Sequence, residues 1–314
     1  MSTTTQSPHV TVVVPTYNTS NHPDPLDVTL GSVLRQDYHN YDVVIIDDAS
    51  TDDTVEHIHR IIAASDFDSA RCHVITNTHN RGVAGTSNAT FDWIFTHLPH
   101  TDYIAHCDSD DIMYPHRLTH QVAAMESRPD VDVLGSNVRS RGINSHGRPV
   151  DKALTTIVTD DIDIKTRLLF ACPIHHTTAM FRATSFHDNT TWRYNEAEGL
   201  HEDYDLWCQI AASGGTFHVT DEVVGVYTVR PGSETSNQDK VDNARAQQAE
   251  MFNRLLHNAH GIDASGDHWL NYVLSSRAST EVLPWITQLR SLAAQENYPL
   301  NAAILDIYVR GFRL

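Results

Sequence analysis

The strongest chemical signal in the sequence is Asp108-Ser109-Asp110-Asp111, directly after the apolar run Tyr103–Cys107. Carboxylates one residue apart at a strand terminus can converge on a hard divalent ion, and oxygen-only ligation favours Mg2+ or Mn2+ over zinc. Mg2+ held by one or two carboxylates completes its shell with water and substrate phosphates, so the implied substrate is a phosphate ester or diphosphate. The segment is equally suited to a helix start, with Asp110 or Asp111 ahead of Pro115 acting as a cap. Taken alone, it supports both.

A second acidic group, His201-Glu202-Asp203-Tyr204-Asp205, opens a helix expected to end near Ala212. Acids at a helix start also serve the dipole. If the group faces the Asp108–Asp110 site, a carboxylate there can accept a proton from an incoming hydroxyl, and Asp203 is the candidate base. Glu202, Asp203 and Asp205 do not share one helical face, so at most two enter a single site. In Asp47-Asp48-Ala49-Ser50-Thr51-Asp52, Ser50 or Thr51 suits an N-cap, while an acid at that strand end is also placed to bond a ribose or base. Pro15-Thr16-Tyr17-Asn18 follows the first strand without a GxGxxG loop, and GxxxxGK[ST], HExxH and GxSxG do not occur. NAD-binding, P-loop, zincin and α/β-hydrolase readings are therefore disfavoured. The pair His175-His176 is a metal ligand, a phosphate donor or loop filler in a chain with 21 histidines. His106 points to the face opposite Cys107 by strand alternation and reads as structural.

The elements that must position these residues alternate. Val10–Val14, Val43–Ile46, His73–Thr76 and Tyr103–Cys107 are short apolar runs separated by helix-length spacers at Leu26–Arg35, Thr54–Ala64 and Ala84–His97. That pattern predicts an α/β fold with an open, mainly parallel sheet flanked by helices, and ligands beyond the carboxyl ends of its strands. Further on, Arg139–Asp151 reads as a loop or edge hairpin, Thr177–Phe181 and Val223–Val229 as strands. Beyond Asn237 the pattern is helical: Val241, Ala244, Met251, Phe252 and Leu255 share a face, and further helices are expected at Trp269–Ser276 and Leu300–Val309.

The chain has 314 residues, 40% hydrophobic and 20% charged, which fits a soluble globular protein. Forty acidic against 22 basic residues give a net charge of −18, which repels a phosphate backbone and speaks against nucleic acid as a partner. Cys72, Cys107, Cys172 and Cys208 are too far apart for a CxxC pair, so a reducing cytoplasm is the expected location. No apolar stretch approaches a spanning helix.

In this order, Val12-Val13-Val14-Pro15-Thr16-Tyr17-Asn18, Ser32-Val33-Leu34-Arg35-Gln36, Val44–Thr54, Asn80-Arg81-Gly82, Asp108-Ser109-Asp110-Asp111 and Glu202-Asp203-Tyr204-Asp205-Leu206-Trp207 resemble glycosyltransferase family 2, inverting nucleotide-sugar transferases of GT-A fold. The resemblance covers about His9 to about Ser236. It implies a transferase domain over residues 1–236 and a helical C-terminal extension over 237–314. It further implies that Pro15, Thr16, Tyr17 and Asn18 line the donor pocket and that Asp48 bonds the base. Asp108 and Asp110, with Ser109 between them, look like the DxD pair. Asp110 is then the direct ligand of Mn2+ or Mg2+, Asp108 is nearer the ribose, and Asp203 is the base. His176, Glu202 and Arg230 are expected near the diphosphate or acceptor. Where the family often has Arg-Asn this chain has Ser87-Asn88, so Arg81 is the expected substitute for a diphosphate contact. Tyr227-Thr228-Val229-Arg230 replaces Tyr-Arg-x-His, and Arg230 is expected to neutralise phosphate.

The implied partners are a nucleotide-sugar donor, with UDP as the family expectation, and a saccharide or lipid-linked acceptor. A homodimer is a further expectation. Leu300–Leu314 is amphipathic, with Ala303, Ile304, Ile307 and Tyr308 on one side, which suits a peripheral membrane contact or packing on the protein itself. The alternatives are a sugar-1-phosphate nucleotidyltransferase, which would want a glycine-rich basic loop after the first strand, and a catalytically silent binding protein of the same fold.

Overall fold

Runs of valine and isoleucine without alternation demand cover on both faces, and the computed structural model places them in a buried sheet. It describes residues 7–19, 25–144, 146–156, 158–197, 200–230, 238–275 and 280–311. The chain begins β1 (Val10–Thr16), α1 (Pro25–Val33), β2 (Tyr41–Asp47), α2 (Thr54–Ala64), β3 (Cys72–Thr76), α3 (Gly82–His97), β4 (Tyr103–His106), β5 (Ile112–Met113) and α4 (Arg117–Glu126). It continues through β6 (Val133–Ile143), β7 (Pro149–Leu154), α5 (Asp161–Leu168), β8 (Met180–Arg182), α6 (Ala183–Asp188), α7 (Glu202–Ala212) and β9 (Phe217–Val229). The remaining helices are α8 (Gln238–His260), α9 (His268–Ser275), α10 (Leu283–Ala293) and α11 (Ala302–Gly311).

These elements form two compact units: Met1–Thr155, Ile174–Tyr194 and Thr220–Pro231 make the first, and Thr156–Pro173, Asn195–Val219 and Gly232–Leu314 the second. Compactness thus groups the tail with two earlier segments, whereas the division at 236/237 follows sequence coverage and falls outside the described residues.

The sheet runs β3-β2-β1-β4-β8-β6-β9-β5, with β7 on β6. Strands β1 to β4 are parallel, and β8, β6, β7 and the β5–β9 pair are antiparallel. One face of the parallel part packs Val12, Val14, Val43, Ile45 and Ala105 against Leu26, Leu30, Ile58 and Leu118 of the helices. Fully burying each of these valine, leucine and isoleucine side chains is worth roughly 1.5–3 kcal/mol. The register sets Thr16 beside Asp47 and Asp47 beside Thr76, so the polar segments after β1, β2 and β3 emerge at one edge.

Arg139–Asp151 lies within a β6–β7 hairpin, one of the two forms expected for it. One boundary differs from expectation for an identifiable reason. The strand expected at Thr177–Phe181 begins only at Met180, because His176–Thr178 is a 3-10 turn. Its carbonyls are taken by buried side chains: Arg117 donates to Thr177 O at 2.7 Å and Gln121 to Thr178 O at 2.7 Å. Between β5 and β9 the backbones approach closely, and a Cβ at Gly225 would lie 2.3 Å from Ile112 O. Gly225→Ala is expected to destabilise the protein by about 1–3 kcal/mol, seen as a lower urea midpoint.

In the second unit, the Tyr204 hydroxyl donates to Leu168 O at 2.6 Å and Trp269 Nε1 to Leu169 O at 2.8 Å. Met251, Phe252 and Leu255 of α8 are buried as expected; the side chains of Val241 and Ala244 lie outside the described residues, as does Ser276. In α11, Leu305 and Val309 are buried, Tyr308 stacks on Phe170 at 5.0 Å, and Ile307 is exposed. The face expected to be apolar is thus divided between packing and solvent. Among the described residues, no helix is long and apolar enough to cross a membrane.

Candidate active site

The segment after β4 is built from a tight turn, Asp111 N donating to Asp108 O at 3.1 Å. Asp110 and Asp111 do not cap α4, whose N-cap position is His116. Asp111 is instead buried and accepts Thr228 N of β9 at 2.7 Å through Oδ1, while its buried Oδ2 has no hydrogen-bond partner among the described residues. Asp110 pairs with Arg230 Nη2 at 2.8 Å. Arg230 therefore engages a carboxylate here rather than standing free for phosphate.

His106 is part of this cluster, against the expectation of a purely structural role. It does lie opposite Cys107, but Asp108 is two residues on and so shares its face. His106 Nε2 and Asp108 Oδ1 are 2.9 Å apart, and the His106 ring stacks on His176 at 3.8 Å. His176 Nδ1 is 3.9 Å from the same carboxylate oxygen, and its Nε2 is 2.7 Å from the Tyr194 hydroxyl. Asn88 fixes Tyr194 in turn: its amide donates to Tyr194 O and accepts Tyr194 N, both at 2.9 Å. Neighbouring Ser87, where an arginine is frequent in the resembled family, has a buried hydroxyl without a hydrogen-bond partner among the described residues.

Arg117 is the buried cation beneath the cluster, donating to His106 O and Thr177 O at 2.7 Å each and to Gln121 Oε1 at 2.9 Å. Arg117→Leu leaves these acceptors unanswered and is expected to cost about 3 kcal/mol of stability, read by thermal or urea unfolding. Arg117→Lys should recover only part, because a lysine lacks the planar fork.

Electrostatically the acids differ. Burial opposes ionisation of Asp108, but the hydrogen bond with His106 and the Arg117 charge prevail and bring it down to about 2. Burial and then the Asp108 charge push Asp110 up, with Arg230 opposing. Asp111 is raised well above the carboxylate range by burial, then by Asp108 and Asp110. Burial, reinforced by His106, holds His176 down at about 3, so its ring is neutral. Three crowded carboxylates with hard oxygen donors suit Mg2+ or Mn2+. His106, Asp108 and His176 also place ligand atoms within 4.8 Å of one another.

The segments after β1 and β2 interlock. Asn18 N donates to Ser50 Oγ at 2.8 Å, and Asn18 Oδ1 accepts Thr51 N at 2.8 Å. Asn18 and Ala49 adopt left-handed backbone, φ 48° and 60°. For alanine that costs roughly 1–2 kcal/mol, the kind of strain that clusters at functional sites. Pro15 and Thr16 end β1, and Tyr17 is 47% exposed beside them. Ser50 and Thr51 do not cap α2; Thr54 N donates to Asp52 Oδ1 at 3.1 Å instead. Asp48 turns toward α3, accepting Asn77 Nδ2, Arg81 N and Gly82 N at 2.8 Å each. The side chain of Arg81 is exposed.

In the second unit, Asp203 and Glu202 open α7. Asp203 Oδ1 accepts Tyr204 N at 2.7 Å, and Oδ2 lies 3.9 Å from Cys172 Sγ. Asp205 is buried and engaged by Arg254 and by Gln209, the latter at 2.7 Å. Of the three acids in this segment, Asp205 is thus committed to structure.

Comparisons with known proteins bear on this arrangement. The chain is 27% identical over 265 residues to an uncharacterized glycosyltransferase of Haemophilus influenzae, covering 82% of this chain and 76% of that one. It is 28% identical over 232 residues to the UDP-Glc:alpha-D-GlcNAc-diphosphoundecaprenol beta-1,3-glucosyltransferase WfaP of Escherichia coli, covering 74% and 81%. In fold it is similar to the mannosyltransferase PcManGT of Pyrobaculum calidifontis, solved in complex with GDP-Man and Mn2+, with a TM-score of 0.56 and 18% identity over 98% of this chain and 86% of that one. The fold is that of the GT-A glycosyltransferases. The model of glycosyl transferase family 2 matches residues 11–189, more than half of the sequence, and the chain belongs to that family as a glycosyltransferase.

Proposed function

We propose that this glycosyltransferase is metal-dependent and inverting. In this reading it moves a sugar from a nucleoside-diphosphate donor, a UDP-sugar, to a hydroxyl of a saccharide or lipid-linked acceptor in polysaccharide or glycoconjugate synthesis. The observation that carries the reading is the gathering of Asp108, Asp110 and Asp111, with one buried oxygen on Asp111 that has no hydrogen-bond partner among the described residues. The Escherichia coli relative, named for a UDP-glucose donor and a diphosphoundecaprenol-linked acceptor, supports the donor and acceptor classes. The Mn2+ complex of the structural neighbour supports the ion.

Asp110 and Asp108 are the residues that would hold Mn2+ or Mg2+. The ion supplies positive charge for a departing diphosphate. Arg230, once released from Asp110, would meet a phosphate oxygen with a charge-assisted hydrogen bond. Pro15, Thr16, Tyr17 and Asn18 line the donor side, Asp48 orders it through Asn77 and the start of α3, and Ser109 and Arg81 flank it. His176 orients Asp108. Asp203 removes the proton of the acceptor hydroxyl as that oxygen attacks the anomeric carbon, with Glu202 beside it. A single displacement inverts the configuration.

The deciding experiment is incubation of the protein with a panel of nucleotide sugars, candidate saccharide and lipid-linked acceptors, and Mn2+. Acceptor-dependent release of nucleoside diphosphate, with a product of inverted anomeric configuration, is the expected result. Pyrophosphate release on offering sugar phosphate and nucleoside triphosphate would replace it with nucleotidyl transfer, and a retained anomeric configuration would overturn the inverting step.

A further inference from the structure

The amino ends of the parallel strands, at the opposite end of the sheet from the donor segments, carry a second cluster. His9 immediately precedes β1, Asp42 is the second residue of β2, His73 is the second of β3, and His100 lies just ahead of β4. The Nε2 atoms of His9, His73 and His100 lie 3.6, 3.8 and 4.0 Å from a single atom, Asp42 Oδ2. All three exceed hydrogen-bond length. The other oxygen, Oδ1, accepts Arg71 Nε at 2.9 Å, which leaves Oδ2 to the imidazoles.

Two observations separate this group from a surface ion-pair network. Asp42 and His9 are buried, at 7% and 8% exposure, and among the described residues the buried atoms His9 Nδ1 and His73 Nε2 have no hydrogen-bond partner. The backbone is also tied in place. Asp102 N and Tyr103 N donate to His9 O at 2.9 and 3.1 Å, and His9 N donates to Asp102 Oδ2 at 2.7 Å, which holds His9 against the segment bearing His100.

Ligand atoms of His9, Asp42 and His100 lie within 4.8 Å of one another. Metal–ligand bonds of about 2.0–2.2 Å in a tetrahedron set neighbouring ligand atoms about 3.3–3.6 Å apart. The separations of His9 and His100 from Asp42 Oδ2, 3.6 and 4.0 Å, are close to that range, and His73, 3.8 Å from the same oxygen but outside the three-residue group, joins it by a side-chain rotation.

We propose that His9, His73, His100 and Asp42 form a second metal site, which takes a borderline divalent ion such as Zn2+ and is distinct from the acidic site at the other end of the strands. Three imidazoles and one carboxylate suit Zn2+ in preference to Mg2+. Four protein ligands leave no open position, so the site is structural: it clamps β1, β2 and β3 to the segment preceding β4.

The test is titration of the chelator-treated full chain with Zn2+ alone, against a competing chromophoric chelator, with thermal unfolding in parallel. His73 and His100 are partly exposed, so the double variant His73→Ala/His100→Ala is expected to fold. The wild type and Asp110→Asn should each bind one tight equivalent of Zn2+ and unfold at higher temperature when loaded. The double variant should lose that equivalent, with affinity falling more than the roughly 10–100-fold that follows loss of an outer-shell partner. Substitution with Co2+ should give the visible absorption of a tetrahedral site in the wild type and Asp110→Asn but not in the double variant. Absence of a tight equivalent in the wild type, or equal Zn2+ affinity in the wild type and the double variant, would overturn the proposal.

Discussion

Asp203→Asn is expected to slow sugar transfer by about 10²–10⁴-fold while leaving the Michaelis constant of the donor nearly unchanged. The substitution is almost isosteric, and the asparagine carbonyl oxygen can still accept the Tyr204 amide that now meets Asp203 Oδ1 at 2.7 Å. What it loses is a group able to take a proton. The measurement is the turnover rate by nucleoside diphosphate release, with circular dichroism and the unfolding midpoint as controls. An intact fold with wild-type turnover would remove Asp203 from the role. Asp205→Asn is the informative neighbour: Asp205 is buried and engaged by Arg254 and Gln209, so its loss should appear as reduced stability, because the buried side chain gives up charge-assisted hydrogen bonds.

Withdrawing the divalent ion should have an effect at least as large. Lewis-acid stabilisation of a departing diphosphate is worth several kcal/mol, so chelator-treated protein should lose transfer by about 10³-fold or more and regain it on addition of Mn2+. Asp110→Asn should reproduce most of that loss even at saturating Mn2+. It removes a carboxylate and also frees Arg230, now 2.8 Å from it. Activity that persists at full rate in chelator would refute metal dependence, whatever Asp110→Asn does.

Much of this arrangement was legible in residue order because the parallel strands obey a simple rule: apolar runs are buried, and the polar residues that follow them emerge at one edge. The bounds expected for the helices at Thr54–Ala64 and Glu202–Ala212 match those found. Side-chain reach across the fold was not legible. The same alternation that turned His106 away from Cys107 placed it on Asp108, but only with Asp108 counted as part of the strand's phase. Asp48, expected at the base, also supports the start of α3, a partnership about 33 residues away that local spacing does not reveal. The helix Asp161–Leu168 escaped notice because its sequence is polar; its identity rests on Lys165 reaching Asp161 at 2.7 Å one turn earlier and on packing of Ile164 and Leu168.

The support that Asp48 gives to α3 also bears on how the enzyme handles a leaving group. The start of a 16-residue helix is ordinarily a resting place for phosphate. Here the amides of Arg81 and Gly82 are already satisfied by a carboxylate of the protein itself. On the proposed reading a diphosphate would gain little from this helix terminus, and the burden of balancing its charge would pass to a divalent ion and arginine.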